Sequence, residues 1–329
     1  MRNDDGRRVD RIVRAVLTNM TLAAIYRAIR SGDVRVNGRR VRPDTRVHEG
    51  DTLEIRGPAV ESLVGDTDTA RSSASHGIAN RIVLENENIM VVSKRSGELT
   101  HGRDSLDSEV KAYVAERIGP SLSFSPGPVH RLDRNTSGLI IFSVSLAGAR
   151  AGAYAFRSSL LHKRYVALID GVLAEPVTCD AALARNRAAK TTAPFTTGQT
   201  AVTHFVPVAT SRQHTAVIAE IATGRTHQIR VHASVIGHPL SGDRKYGGTP
   251  IRVYEREQHP GGRIGARSTG LSGMILHCGS LTLKKTLPEL GFTHLHDPLP
   301  PAARRVFDTV IGPGTAADLD RVLSRKPNV

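Results

Sequence analysis

The sequence predicts a mixed α+β fold: a largely antiparallel sheet with a few helices, preceded by a small α/β unit. Three observations predict it. Apolar runs of strand length, such as LIIFSV and KRYVALIDGVL, greatly outnumber segments of helical spacing. These runs do not alternate regularly with helices, as a parallel α/β sheet would require. The amino-terminal part carries its own helix-and-hairpin pattern, set off by a stretch without any period.

At 329 residues the chain suits two domains, and 39% hydrophobic residues suffice for a sizeable core. Forty-five basic residues oppose 31 acidic ones, a net charge of +14, and most of the basic residues are Arg. Arg pairs with phosphate through two parallel hydrogen bonds, so a polyanionic partner is expected, nucleic acid first among them. With no Trp and 4% aromatic residues, base stacking must use a few Tyr and Phe or Arg planes. Cys179 and Cys278 form no CxxC pair, so neither a disulfide framework nor a zinc knuckle is expected. The charged start MRNDDGRRVDRIVR is not followed by an apolar signal core, and no run approaches a membrane span. A cytoplasmic protein without membrane contact is expected, as a monomer.

In residues 1–57, VDRIVRAVLTN and LAAIYRAIRSG have helical spacing, with Leu22, Ile25 and Ile29 on one face and Arg27 and Arg30 on the other. VRVNGRRV and DTLEI then predict short strands, with Asn37-Gly38 as a hairpin turn. Residues 1–56 hold thirteen Arg and eight acidic residues, a net +5. From Arg8 to Arg56 this pattern resembles the S-four-like RNA-binding domain. The resemblance implies an RNA-facing surface made of Arg27, Arg30, Arg35, Arg39 and Arg40. For any one of these, a solvated helix face is explanation enough; the cluster is harder to dismiss.

Residues 58–79 are rich in Ser, Thr, Asp and Gly without period, which predicts a flexible linker. A second domain is expected over 80–299. RIVLENENIMVV predicts two strands about a polar turn, and LIIFSV a buried strand. SLAGARAGAYAFRSSLLH predicts a helix capped by Ser145. KRYVALIDGVL, THFVPVAT and TAVIAEIATG predict strands, and THQIRVHASVIG a helix. Residues 247–274, heavy in Gly and Arg, predict a basic surface loop, and 300–329 a carboxy-terminal tail in which FDTVI and LDRVLS can form a short docking helix.

Four blocks carry the chemistry: HRLDRNTSG from His130, HKRYVALIDG from His162, TGRTHQIRVHASVIGHPLSGDRKYG from Thr223, and ILHCGSLTL from Ile275. In this order, over roughly Ile82 to Leu283, they resemble the RluA family of pseudouridine synthases. The basic amino-terminal unit points to the branch acting on large-subunit ribosomal RNA. The resemblance implies that a uracil is detached from its ribose, turned and rejoined through C5. That chemistry calls for no cofactor and no metal.

The resemblance puts the catalytic carboxylate on Asp133, the active-site tyrosine on Tyr165, and the arginine facing the carboxylate on Arg230, with Arg225 as second candidate. An ionised carboxylate can stabilise the charge developing on the sugar, attack C1′, or take the 2′ proton; the residues leave these roles open. A carboxylate in a dry pocket is driven toward protonation and a nearby cation opposes this, hence the need for an Arg. Alone, an aspartate here is better explained as a turn residue; the other three blocks favour catalysis. Arg131 and Arg134 can hold a phosphate or fill the place of a flipped base, and Leu276 can floor the pocket. His227, His232 and His238 match no metal-ligand spacing and are expected to bond within the protein or to RNA. In SKRSGELTHG, Arg95 stands where the family usually has proline. The alternative reading is a non-catalytic RNA-binding ribosome-assembly factor, which the presence of Asp133, Tyr165 and Arg230 disfavours.

Overall fold

The computed structural model describes residues 4–17, 20–56, 77–118, 121, 123–186, 191–195, 197–251, 254–258, 264–268 and 273–327. Its centre is the strand Leu161–Asp170, whose side chains alternate between two buried faces. Tyr165, Ala167 and Ile169 enter the larger core, whereas Val166 and Leu168 enter a second one. Strand Leu161–Asp170 pairs antiparallel with His214–Ile221 on one side and Leu276–Leu283 on the other. The sheet continues through Thr203–Thr210 to Val177–Cys179, and in the other direction through Ser137–Ser143 and Ile89–Lys94 to Ile82–Glu85. With the short strands Gly127–Pro128 and His294–His296 it has ten members. All described pairings are antiparallel except that of Leu276–Leu283 with Ser137–Ser143. The mixed, largely antiparallel α+β architecture is therefore as expected.

That parallel pairing depends on Gly138. Its φ is +111°, and a Cβ there would stand 2.3 Å from the Cys278 carbonyl oxygen, so only glycine lets the strands meet. Helix Leu146–Arg157 starts where expected, with Ser145 Oγ accepting from Gly148 N at 3.0 Å. Helix Gln228–Val235 follows the Gly-Arg turn, and helix Leu106–Val114 adds a segment that the spacing did not announce.

In residues 300–329 the expected docking helix is present as two, which build the second core. Helices Pro301–Val310 and Thr315–Ser324 lay Val306, Phe307, Ala316, Leu319 and Leu323 against the back of the sheet. Arg164, on the back face between Lys163 and Tyr165, holds the end of the second helix: it donates to Val322 O at 3.1 Å and Leu323 O at 2.7 Å. These are carbonyls that a helix end leaves without partners. Residues 247–274 likewise differ from a plain loop. Within them Tyr254–Gln258 and Ile264–Ser268 pair antiparallel, from Tyr254 opposite Ser268 to Gln258 opposite Ile264. Most of the expected linker, 58–76, lies outside the described residues, but Ile78 is fully buried in the larger core.

At the amino terminus, helices Val9–Val16 and Leu22–Ser31 and strands Val34–Val36 and Leu53–Ile55 enclose a separate small core. Ile25 and Ile29 are buried as expected. Leu22 is not: it is 49% exposed at the first helical position, and Ala28 takes its place on the buried face. Asn37 and Gly38 have φ of 51° and 75°, which is the turn geometry this pair favours. Among the described residues no helix is long and apolar enough to cross a membrane.

Candidate active site

One cavity gathers residues from all four sequence blocks: Asp133 and Arg131, Lys163 and Tyr165, Arg225, His227 and Arg230, and Leu276. Asp133 sits in the loop between Leu132, which is buried, and strand Ser137–Ser143. Its backbone oxygen accepts from Thr136 N at 3.0 Å, closing the turn. The loop has a second anchor that sequence reasoning missed. Lys94, 1% exposed, donates to the carbonyls of Asp133, Arg134 and Thr136 at 3.2, 3.0 and 2.8 Å, and to Arg95 O at 3.0 Å. Burial brings its pKa down from 10.5 to about 8. The stretch Arg95–Thr100 braces the same loop, with Thr100 Oγ1 donating to Leu132 O at 3.0 Å and Gly97 N to Arg134 O at 2.8 Å.

Arg230 faces Asp133, with NH1 3.6 Å from Oδ2. Its main partner is a residue to which the sequence motifs gave no role. Asp243, from the SGDRKYG stretch, accepts from Arg230 Nε at 2.7 Å and NH2 at 2.8 Å. This two-point pairing fixes the guanidinium plane and turns the remaining nitrogen toward Asp133. Burial works against the Arg230 charge, but Asp243 and then Asp133 outweigh it and raise its pKa. Arg225, the second candidate, lines the cavity but spends Nε on Thr200 O at 3.2 Å.

Lys163 and Tyr165 project from the same strand face, two residues apart. The Lys163 ammonium lies 4.8 Å from the centre of the Phe156 ring, and burial lowers its pKa to about 8. Burial, then the neighbouring Cys278, pushes the Tyr165 hydroxyl well above its ordinary value. Leu276 is buried at the start of its strand and forms part of the wall. The Lys163 signal was present in the period-two pattern of KRY, which puts Lys and Tyr on one face and Arg on the other.

The three histidines separate. His232 bonds Thr203 Oγ1 at 2.8 Å and Ala181 O at 2.9 Å, and His238 bonds Asp170 O at 2.9 Å. Only His227 faces Asp133, with Nε2 3.8 Å from Oδ2. Arg131 and Arg134 open onto an adjoining cavity with Asp133, His227 and His101. Arg134 Nε is held by Gly97 O at 3.0 Å. Around the amino-terminal core, Arg27, Arg30, Arg39 and Arg40 are exposed. Arg35 is half-buried and bonds the carbonyls of Gly32 and Gly38, both at 3.2 Å.

A family model described as RNA pseudouridylate synthase matches residues 88–235, and one described as S4 domain matches residues 7–53. The chain is similar to "Ribosomal large subunit pseudouridine synthase C" of Vibrio vulnificus, 32% identical over 281 residues, covering 84% of each chain. It is 30% identical to the protein of the same name from Escherichia coli, covering 88% of each. It is 32% identical to "Ribosomal large subunit pseudouridine synthase D" of Xylella fastidiosa, covering 74% of this chain and 72% of that one. Among solved structures, "Human RNA Pseudouridylate Synthase Domain Containing 4" superposes with a TM-score of 0.54 at 19% identity, over 71% of this chain and 94% of that one, a likeness of fold.

Proposed function

The chain belongs to the RNA pseudouridylate synthases, and we propose that it isomerises uridines of large-subunit ribosomal RNA with Asp133 as its catalytic carboxylate. The observation that carries the reading is the convergence of Asp133, Tyr165 and Arg230, far apart in sequence, on one cavity. The names of the relatives support ribosomal RNA as the substrate, and the S4 match supports RNA binding by the amino-terminal unit, over about residues 1–57.

The reaction follows from the residues. A uridine turned out of its stack enters the cavity, at a cost of a few kcal/mol that is smallest in a loop. As the bond from C1′ to N1 weakens, positive charge develops on the sugar, and Asp133 is the anion that meets it. Arg230 is the cation that faces that carboxylate. At 3.6 Å and an effective dielectric near 20, the pair gains roughly 5 kcal/mol before desolvation. Uracil departs with negative charge, which the Lys163 ammonium opposite is suited to meet. The ring turns, C5 bonds to C1′, and the C5 proton passes to water while N1 takes one up, so that the sum is an isomerisation; Tyr165 stacks on the ring and guides that step. Arg131 and Arg134 hold the flanking phosphates. The protein works as a monomer in the cytoplasm, on ribosomal RNA or its precursor particles.

The test is Asp133→Asn in full-length protein on an unmodified large-subunit ribosomal RNA transcript carrying uridine tritiated at C5. Tritium release should fall at least about 10³-fold, while filter binding stays within a few-fold of wild type. A variant that still releases tritium at the wild-type rate removes Asp133 from the mechanism. Matched wild-type and deletion cells with identical pseudouridine in large-subunit RNA would remove that substrate.

A further inference from the structure

Tyr246, from the SGDRKYG stretch, touches both residues that face Asp133. Its ring lies 4.9 Å from the Arg230 guanidinium carbon and edge-on to the His227 ring, with centres 5.5 Å apart. Its hydroxyl oxygen accepts the Thr192 backbone N–H at 3.1 Å and lies 2.6 Å from His227 Nδ1.

These contacts favour one position for the imidazole proton. A backbone N–H can only donate, so Thr192 occupies the acceptor side of the phenolic oxygen. Nδ1, at 2.6 Å, is in place to accept the hydroxyl hydrogen. In a neutral imidazole an accepting Nδ1 leaves the proton on Nε2, and Nε2 is the nitrogen aimed at Asp133. The backbone is built around this aim. His227 has φ of 56° and ψ of 21° at the start of helix Gln228–Val235, a left-handed conformation that a non-glycine residue keeps only where its surroundings hold it.

We propose that Tyr246 and the Thr192 amide lock His227 as its Nε2–H tautomer, so that His227 is a hydrogen-bond donor positioning Asp133. The inference rests on the reading of Asp133 as the catalytic carboxylate. Both donors address the same oxygen: Arg230 NH1 lies 3.6 Å and His227 Nε2 3.8 Å from Oδ2. That division leaves Oδ1 to meet the ribose. The Nε2 separation closes to a hydrogen bond on a shift of about 0.8 Å, the tightening expected when substrate fills such a site. Tyr246 acts only through its two neighbours and is a positioning residue.

The groups around His227 favour the neutral ring that this arrangement needs. Burial lowers its pKa, Asp133 opposes this, Arg230 and Lys245 lower it further, and Asp243 raises it. The hydrogen bond into Nδ1 also stabilises the neutral form, so its removal should raise the pKa. A protonated His227 would hold Asp133 as an ion pair and draw it from the sugar.

The experiment uses full-length wild type, Tyr246→Phe, His227→Gln and His227→Leu. Long-range nitrogen NMR at pH 8 should show wild-type His227 as the Nε2–H tautomer and a mixture in Tyr246→Phe. On the tritiated transcript, kcat should fall about tenfold or more in Tyr246→Phe and His227→Leu, with KM within about twofold. His227→Gln, which keeps a donor at the same reach, should recover most of that loss. The acid limb of kcat should move to higher pH in Tyr246→Phe. A wild-type Nδ1–H tautomer overturns the proposal, as does Tyr246→Phe with unchanged rate and pH profile. If Tyr246→Phe does not fold, the wild-type tautomer and the His227 pair decide. The tautomer is read without substrate, so its failure is distinct from an active Asp133→Asn, which would strike the reading of Asp133 alone.

Discussion

Asp243→Asn tests the clamp that aims Arg230. The pair is well inside the protein, with side chains 2% and 11% exposed, so the discount for a surface ion pair does not apply. Asp243 accepts two charge-assisted hydrogen bonds, at 2.7 and 2.8 Å, each worth about 1.5–3 kcal/mol. Asparagine keeps one oxygen and presents an NH₂ group to the second guanidinium hydrogen, so one bond is lost along with the charge. The expected destabilisation is about 2–4 kcal/mol, near the value for breaking a buried pair. Freed from its clamp, Arg230 closes on Asp133, only 3.6 Å away, and draws the carboxylate from the sugar. kcat should drop about 10²-fold with KM little changed. Urea unfolding followed by circular dichroism gives the first quantity, and tritium release from the C5-labelled transcript gives the second. A stability loss under about 0.5 kcal/mol together with a kcat within twofold of wild type would refute the clamp.

Three further outcomes follow from the same geometry. Lys94→Met takes the ammonium donor from the Thr136 carbonyl and a second donor from those of Asp133 and Arg134, and should cost about 1–3 kcal/mol; its pH profile should also change. With a folded pKa of about 8 against 10.5 unfolded, Lys94 makes wild-type stability rise across that window, because the unfolded chain holds the proton longer. The variant should lack this rise; an identical slope in both proteins counts against the assignment. His162→Phe removes a buried Nδ1 that has no partner and a ring whose pKa burial has brought to about 4. Stability at pH 7 should gain about 1 kcal/mol, and the wild-type loss as pH falls from 6.5 toward 4 should flatten; thermal melts across that range report both. Deleting residues 1–57 should weaken RNA binding and make its salt dependence shallower, by about one unit of slope for each phosphate no longer neutralised. Equal affinity and slope in a salt titration would deny that unit its role.

Much of the fold was legible because strand formation is a local matter. The continuous apolar runs of LIIFSV and KRYVALIDG, the Asn37-Gly38 turn and the Ser145 cap each depend on a few adjacent residues, and all appear as expected. The carboxy-terminal helices were legible only as short apolar stretches. Their burial needs the back face of a sheet whose strands are spread across the chain, and the Arg164 that holds the second helix is 158 residues from Val322. Leu22 shows the opposite error: right spacing, but one turn too early to be covered.

The chemistry-bearing blocks, their order and the basic amino-terminal unit can be read along the chain, because each is a run of neighbouring residues with its own period or composition. How those residues are aimed emerges only on folding. Lys94 grips the Asp133 loop 39 residues away, Asp243 turns Arg230 by taking two of its nitrogens, and the Tyr246 hydroxyl bonds His227 Nδ1. Such partnerships leave no period in a chain, since a hydrogen bond depends on ångströms and angles between groups that only folding brings together.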